Sequence, residues 1–162
     1  MRYLLIDRIR RLEVNRHITA VKCVALSEDI YTDHFVGFPV MPGAMLIESL
    51  AQAGTALLEV SSNLSKKALL VMVDQAKFRT FVQPGDQLVI TMDILSSDDS
   101  VVRMEGNIRV DGQLVMDARL TFALKEPAQF YPPKTRFLME TIYDIWLKGA
   151  EVVGKTGQEN PK

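Results

Sequence analysis

The residues best suited to acid–base chemistry are His34 and Glu48. His34 lies in an aromatic loop between Tyr31 and Phe38, and Glu48 lies on the apolar segment that follows this loop. A histidine and a partly desolvated carboxyl can each give or take a proton near neutral pH, as the removal of a hydroxyl group requires. A loop histidine among aromatic residues is more often structural, so the residues alone leave both readings of His34 open.

A long helix is predicted to carry Glu48. Residues 43–60 are apolar on nearly every side, and Pro42 is tolerated close to a first helical turn. The polar residues of this segment share one narrow stripe: Glu48, Gln52, Thr55 and Glu59. The stripe contains no Lys or Arg and its flanks are apolar, so the lining of a cleft is favoured over a solvated face. Gly43, at the helix start, would let a substrate carbonyl approach free backbone N–H groups.

The remainder of the chain reads mainly as antiparallel strands. Strands are predicted over residues 18–26, 69–82, 87–95, 101–110 and 113–124. Asp111-Gly112, between the last two, is a strong signal for a two-residue hairpin. Several strands that follow one helix, without regular alternation of strands and helices, predict an α+β fold.

The predicted secondary structure changes from strands to a helix after Pro127. Residues 1–126 are predicted to form one domain, and residues 127–162 a C-terminal helical extension with a flexible tail from residue 154. Apolar residues of the extension recur at helical spacing: Leu138, Ile142, Ile145, Trp146 and Gly149. We expect this amphipathic helix to dock on the body of the protein or on a neighbouring subunit.

Composition narrows the classes of function. The 162 residues carry a net charge of −1, which gives no electrostatic footprint for nucleic acid. No apolar run reaches the length of a membrane span and no signal-peptide core is evident, so a cytoplasmic protein is expected. Cys23 is the sole cysteine and falls in an alternating apolar run, which predicts a buried, inert thiol. With two histidines and one cysteine, a zinc site built from this chain is not expected.

A long motif begins at His34. Residues 34–43, His-Phe-Val-Gly-Phe-Pro-Val-Met-Pro-Gly, are followed at 44–54 by AMLIESLAQAG. This stretch resembles the FabZ-type β-hydroxyacyl-acyl-carrier-protein dehydratases of fatty-acid synthesis, whose pattern is His-Phe-Pro-Gly-x-Pro-Val-Met-Pro-Gly before a helix with a glutamate and Ala-Gln-Ala. Similar matches occur at 4–9, 76–79 and 82–88 (LLIDRI, AKFR and VQPGDQL). Together they cover residues 2–124 in the family's order.

The resemblance implies a hotdog fold, in which an antiparallel sheet wraps around the long central helix. It also implies a homodimer with composite active sites, often assembled further into a hexamer as a trimer of dimers. His34 would remove the C2 proton of a 3-hydroxyacyl thioester, and Glu48 of the other subunit would protonate or position the departing hydroxyl. The Gly43 N–H would hold the thioester carbonyl, and Gln52 would orient Glu48. No metal or other cofactor is implied.

Two departures from the pattern concern the substrate. Val36 replaces the usual proline, so the loop that holds His34 loses one rigid φ angle. Phe38 replaces a small or polar residue and is expected to narrow the mouth of the substrate tunnel or to change the lipid that it admits. The implied partner is an acidic acyl carrier protein, for which Lys77, Arg79 and Lys125 are candidate contacts. Two alternatives remain open at this stage: a hotdog acyl thioesterase, and a non-catalytic acyl-binding or partner subunit of a specialised lipid or polyketide pathway.

Overall fold

The computed structural model describes residues 3–31, 34–35, 37–130 and 136–154. The strands are β1 (Arg8–Glu13), β2 (His17–Cys23), β3 (Lys67–Phe78), β4 (Gln87–Ser97), β5 (Val101–Val110), β6 (Gln113–Lys125) and β7 (Glu151–Val153). The helices are α1 (Gly43–Ser61) and α2 (Arg136–Leu147), and short 3-10 turns lie at Asp29–Tyr31 and Pro127–Gln129.

The strands form one sheet in the order β3-β6-β5-β4-β2-β1-β7. Neighbouring strands are antiparallel, except for β1 and β7, which are parallel. Helix α1 contacts the five strands from β2 to β6, so the sheet wraps around it. The α+β fold class and the hotdog arrangement are thereby confirmed.

The core lies between α1 and the concave face of the sheet. Along β5, buried residues alternate with outward ones, and Val102, Met104 and Ile108 are fully buried. Gly54 faces the sheet from α1, where an added Cβ would lie 2.7 Å from Cζ of Phe122. The glycine therefore allows a close approach of helix and sheet, and each large apolar side chain buried there contributes roughly 1.5–3 kcal/mol.

The hairpin between β5 and β6 has the predicted turn. Asp111 and Gly112 have φ angles of 49° and 80°, and two positive φ angles are what a type I′ turn requires. The predicted central helix is also confirmed, and it extends one residue further, to Ser61.

At the N-terminal side, the structure contains a strand that was not predicted, and the expectation of a buried Cys23 is wrong. The additional strand is β1, at residues 8–13. Cys23 is exposed at the end of β2, and its neighbour Lys22 is the buried residue. Lys22 can be buried because its Nζ lies 2.7 Å from Oε1 of Glu28, which compensates for the lost hydration of the ammonium.

The C-terminal segment was expected to dock on the body of the protein or on a neighbouring subunit, and in the structure it packs onto the body. Strand β7 pairs with β1, with an ion pair of 2.8 Å between Arg11 and Glu151, and α2 also contacts β1. The buried face of α2 differs in part from the predicted one, because Leu138 and Ile145 are exposed. Trp146 is buried and Ile142 packs beside it, as predicted, and the unpredicted Tyr143 and Met139 complete this face. The predicted flexible tail lies, from residue 155 onward, outside the described residues.

Candidate functional site

Glu48 is held by a hydrogen-bond network that includes its neighbour one turn further along α1. Gln52 donates from Nε2 to Oε1 of Glu48 at 3.0 Å and to the carbonyl of Tyr3 at 2.9 Å. Its Oε1 accepts the backbone N–H of Leu5 at 2.9 Å. Since both amide hydrogens and the amide oxygen are used, the orientation of Gln52 is fixed and it points a donor at Glu48. The implied pairing of Glu48 with Gln52 is present in the fold.

The polar stripe of α1 lines a cleft. Glu48, Gln52 and Thr55 are partly exposed and border a cavity of about 420 Å³. Most of the other lining residues are apolar and come from the N-terminal segment, α1, β3 and α2: Leu4, Ala51, Ala68, Leu69, Leu70, Met139, Ile142 and Trp146. The prediction that the stripe faces a cleft is confirmed for these three polar residues.

Glu59, the fourth residue of the stripe, has a different role. It is only 4% exposed, and its carboxylate accepts hydrogen bonds from the hydroxyl of Tyr143 at 2.6 Å and from the N–H of Ala68 at 3.2 Å. Lys67 Nζ lies 2.6 Å from the same carboxylate. This cluster joins α1, β3 and α2 at one end of the cleft. Sequence spacing could place Glu59 on the stripe but could not reveal its partners, which come from distant positions.

His34 lies in the loop before α1 and is half-buried. Its ring contacts that of Phe35 with a centroid separation of 4.5 Å. Phe35 has a φ of 53°, and its carbonyl accepts the N–H of Phe38 at 2.8 Å, so the backbone turns sharply immediately after His34. Within the described part of the chain, His34 is not among the residues that line the cleft of Glu48.

Of the two loop residues expected to affect the substrate site, the structure describes only Phe38. Phe38 is 49% exposed and packs edge-on against Phe81 at 5.8 Å, so an aromatic pair is present beside the loop of His34. Val36 lies outside the described residues.

Gly43 is the first residue of α1, after Pro42, and no side chain caps this helix end. The first N–H groups of a helix have no intrahelical acceptor, so they are available to an external oxygen. A Cβ on Gly43 would lie 2.9 Å from Cε1 of Phe78, which shows that glycine is needed for the phenyl ring to approach the helix start. The combination of free donors and a nearby aromatic ring suits a thioester carbonyl.

The three candidate carrier contacts do not form one patch. Lys77 and Arg79 are exposed near the end of β3, and Nε of Arg79 donates to Asp117 at 2.8 Å. Lys125 is opposite Lys67 at the other end of the β3–β6 pair. Ten strand residues separate the two places, which corresponds to roughly 33 Å.

Neither a cluster of metal-ligating side chains nor a membrane-spanning helix occurs among the described residues. No group of three or more His, Cys, Asp or Glu side chains that could hold a metal ion was found there. None of the described helices is long and apolar enough to cross a bilayer. The second histidine, His17, is hydrogen-bonded to Asp93 and Thr19 at 2.7 and 2.8 Å.

Comparison with known proteins identifies the family. A family model described as a FabA-like domain matches residues 1–119. The chain belongs to the FabA-like family. The 3-hydroxyacyl-[acyl-carrier-protein] dehydratase FabZ of Bacillus velezensis is 39% identical over 125 residues, which are 76% of this chain and 89% of that protein. FabZ of Cereibacter sphaeroides strain KD131 is 38% identical over 128 residues, or 77% and 83% of the two chains.

Solved structures agree on the fold of this FabA-like chain. The dehydratase heterocomplex ApeI:P from Xenorhabdus doucetiae superposes with a TM-score of 0.55 at 16% identity, over 67% of this chain and 88% of that one. The protein smu.793 from Streptococcus mutans, solved with acetyl-CoA, gives a TM-score of 0.59 at 15% identity, over 74% and 88%. At such low identity these structures support the fold and carry no argument about the reaction.

Proposed function

We propose that this FabA-like protein converts a 3-hydroxyacyl thioester into the trans-2-enoyl thioester and water, in fatty-acid or related lipid biosynthesis. The observation that carries the proposal is the cleft of about 420 Å³ in which Gln52 presents Glu48 to a largely apolar wall. A carboxyl beside an apolar cavity can meet the polar head of an acyl thioester while the cavity receives the chain. The 36–39% identical FabZ relatives are named for this same reaction on acyl carrier protein.

In the proposed reaction, His34 takes the proton from C2 and Glu48 gives a proton to the hydroxyl on C3. The C2–H and C3–O bonds break, the C2=C3 double bond forms, and the hydroxyl leaves as water. The free N–H groups at the start of α1, beside Gly43, hold the thioester oxygen as negative charge develops on it. The thioester itself acidifies the C2 proton, so the chemistry draws on these side chains and backbone donors alone.

We further propose that each active site combines His34 of one subunit with Glu48 of another. Two observations support this arrangement. His34 does not line the cleft of Glu48 within the described part of one chain. In addition, β3 is an outer strand of the sheet, and it exposes the consecutive residues Val71, Met72 and Val73. An exposed apolar edge strand is suited to pairing with a second copy. Assembly of such dimers into a hexamer stays a prediction.

The proposed partner is an acyl carrier protein that delivers the substrate. Lys77 and the Arg79 region form the better candidate contact, because both lie near the end of β3 where Phe78 approaches Gly43. Arg79 already pairs with Asp117, so Lys77 is the more available cation of the two. Lys125 is distant from this place, and nothing in its surroundings supports a role in carrier binding.

The activity is tested by following hydration of a trans-2-enoyl thioester through loss of its conjugated absorbance, with carrier-linked substrate as well as the coenzyme A form. His34→Ala and Glu48→Gln are each expected to lower turnover about 10²–10⁴-fold. His17→Ala and Glu105→Gln make the same changes away from the cleft and should retain activity. A folded wild-type protein that turns over none of these thioesters would contradict the proposal and favour the acyl-binding subunit. Release of free thiol without hydration would favour the thioesterase.

The composite site is tested by mixing the two inactive variants. A dimer with one His34→Ala subunit and one Glu48→Gln subunit contains one site with both changes and one site with neither. Random mixing should therefore restore about a quarter of the wild-type activity if the dimer is symmetric. If each site were built within one subunit, every mixed dimer would remain inactive.

A further inference from the structure

Helix α2 lies beyond residue 119, where the FabA-like match ends, yet it borders the candidate site. Four of its residues line the cleft that contains Glu48: Met139, Ile142, Tyr143 and Trp146. They form the buried or partly buried face of the helix, whereas Phe137, Leu138 and Ile145 are exposed. The C-terminal segment thus supplies one wall of a cavity whose other walls belong to the family domain.

The position of α2 is fixed by a polar contact in an otherwise apolar environment. The hydroxyl of Tyr143 donates to the buried carboxylate of Glu59 at 2.6 Å, and Lys67 pairs with that carboxylate. A buried carboxylate is costly unless it is bound, so this contact specifies where α2 rests on α1. The wall is therefore held in place at the Glu59 end of the cleft.

The cleft extends along α1 from Glu48 towards Thr55. Glu48 and Thr55 both line it and are seven residues apart on α1, which corresponds to roughly 10 Å along the helix. Gln52 lies between them on the same face of the helix, and apolar residues complete much of the lining, among them Ala51 on α1, Leu70 on β3 and Ile142 on α2. At the far end, the Glu59–Lys67 pair presents a polar boundary. Such a cavity suits an aliphatic chain that starts beside Glu48 and stops before the charged pair.

We propose that α2 forms one wall of the acyl-chain site and that Ile142 on this helix sets the chain length the enzyme accepts. The inference rests on the proposed dehydratase function, because the occupant is the acyl chain of that substrate. It adds a specificity element from outside the matched family domain.

The chain offers a matched pair of variants to test this wall. Ile142 lines the cleft, and Ile145, three residues further along the same helix, is 61% exposed. Turnover is measured with crotonyl, trans-2-octenoyl and trans-2-dodecenoyl thioesters. Ile142→Phe should lower kcat/KM for the longest thioester about ten- to hundredfold relative to crotonyl, since a change in the volume of an apolar pocket has effects of this size. Ile142→Ala should shift the preference towards longer chains, and Ile145→Ala should leave the profile unchanged.

A binding measurement separates this inference from the proposed reaction. Trp146 is the sole tryptophan of the chain and lines the cleft, so its fluorescence reports directly on an occupant. Saturated dodecanoyl-pantetheine, which cannot be hydrated, should change this fluorescence on titration, and Ile142→Phe should weaken the response about tenfold or more. Butyryl-pantetheine should give a weaker response that Ile142→Phe does not alter.

The outcomes are distinct. If the wild-type protein turns over no thioester but dodecanoyl-pantetheine still binds at Trp146 in an Ile142-dependent way, the proposed reaction fails and the acyl site on α2 stands. If turnover occurs and neither the length profile nor the fluorescence titration responds to the Ile142 variants, the proposal for α2 is overturned.

Discussion

Two tyrosines of this protein are buried, but only one of their hydroxyl groups has a hydrogen-bond partner among the described residues, and this difference provides a test of the structure. Tyr143 is 4% exposed and donates to the carboxylate of Glu59 at 2.6 Å. Tyr31 is 8% exposed, and its hydroxyl has no hydrogen-bond partner among the described residues. Tyr→Phe removes the same single oxygen at each position and leaves the ring in place. We expect Tyr143→Phe to lower the free energy of unfolding and Tyr31→Phe to leave it unchanged or to raise it.

Tyr143→Phe is expected to destabilise the protein. A hydrogen bond to a charged group contributes roughly 1.5–3 kcal/mol to stability. Glu59 keeps Lys67 and the N–H of Ala68 as partners, so its charge is not left without compensation and the loss should fall near the lower limit, about 1.5–2 kcal/mol. For a chain of this length that corresponds to a decrease in Tm of roughly 3–8 °C.

Tyr31→Phe is expected to be neutral or stabilising. A buried hydroxyl without a partner already carries a desolvation penalty of about 1–3 kcal/mol, and phenylalanine removes that penalty while it fills the same space. A gain of up to about 1 kcal/mol is therefore expected, which places the two variants roughly 1.5–3 kcal/mol apart.

Urea unfolding, followed by circular dichroism, measures both values. Protein concentration must be the same in all experiments, because association of folded chains adds to apparent stability. An unchanged slope of free energy against urea would show that the extent of unfolding is the same for all variants. If Tyr143→Phe stays within about 0.5 kcal/mol of the wild type, or if Tyr31→Phe is the more destabilising of the two, the reasoning about these hydroxyl groups is refuted.

Three further predictions concern packing, ion pairs and pH. Gly106→Ala should destabilise the protein by about 1–3 kcal/mol or more in urea unfolding. The Cβ of the new alanine would clash with Met92 Sδ and would lie 2.5 Å from the backbone oxygen of Thr91, and this backbone atom cannot move aside. Glu28→Ala should lower the free energy of unfolding by about 2–4 kcal/mol, since it leaves the buried Lys22 without its nearest carboxylate. Glu126→Ala breaks an exposed pair with Lys66 and should change that free energy by about 0.5 kcal/mol or less. Equal losses of the two variants in thermal unfolding would contradict this expectation. Burial, with a smaller effect of the nearby Glu28 and Asp86 carboxylates, raises the pKa of Tyr31 from 10.0 to about 12. The stability linked to the neutral form of Tyr31 is therefore fully present below pH 10 and is lost as the pH rises towards 12. Tyr31→Phe should make the alkaline decline in Tm shallower.

The parts of the fold that sequence predicts well are those specified locally. The Asp111-Gly112 turn has both positive φ angles because these two residue types tolerate them, whatever the rest of the chain does. Helix α1 is equally clear, since a segment that is apolar on nearly all sides and preceded by proline has few alternatives. These two signals define the hairpin and the helix that carries Glu48.

Strand β1 was missed because an irregularity hides its period. The register with β2 shifts between Ile9 and Arg11, so Ile9 and Leu12 both face the core although they are three residues apart. A bulge places an extra residue in one strand and interrupts the alternation by which strands are recognised.

The buried face of α2 could not be read from spacing alone because apolar residues surround much of the helix. Leu138 and Ile145 lie at helical spacing as well as Ile142 and Trp146 do, and only contact with the body selects between the stripes. The same limit applies to Glu59. Its partner Tyr143 is 84 residues away, and such long-range contacts leave no local signal.

The two edges of the sheet, as far as the structure describes it, support the composite site by their contrast. At one edge, β1 is covered by β7, which adds backbone pairing and the Arg11–Glu151 ion pair. At the other edge, β3 carries register shifts beside Leu70 and Val73 and exposes three consecutive apolar residues. An uncovered apolar edge promotes uncontrolled association unless a specific partner takes it. In the described structure, the chain covers one edge with its own C-terminal strand and leaves the other edge, whose residues Leu69 and Leu70 line the cleft of Glu48, without a covering strand. A second copy paired at β3 would cover this edge beside the cleft, as the proposed composite site requires.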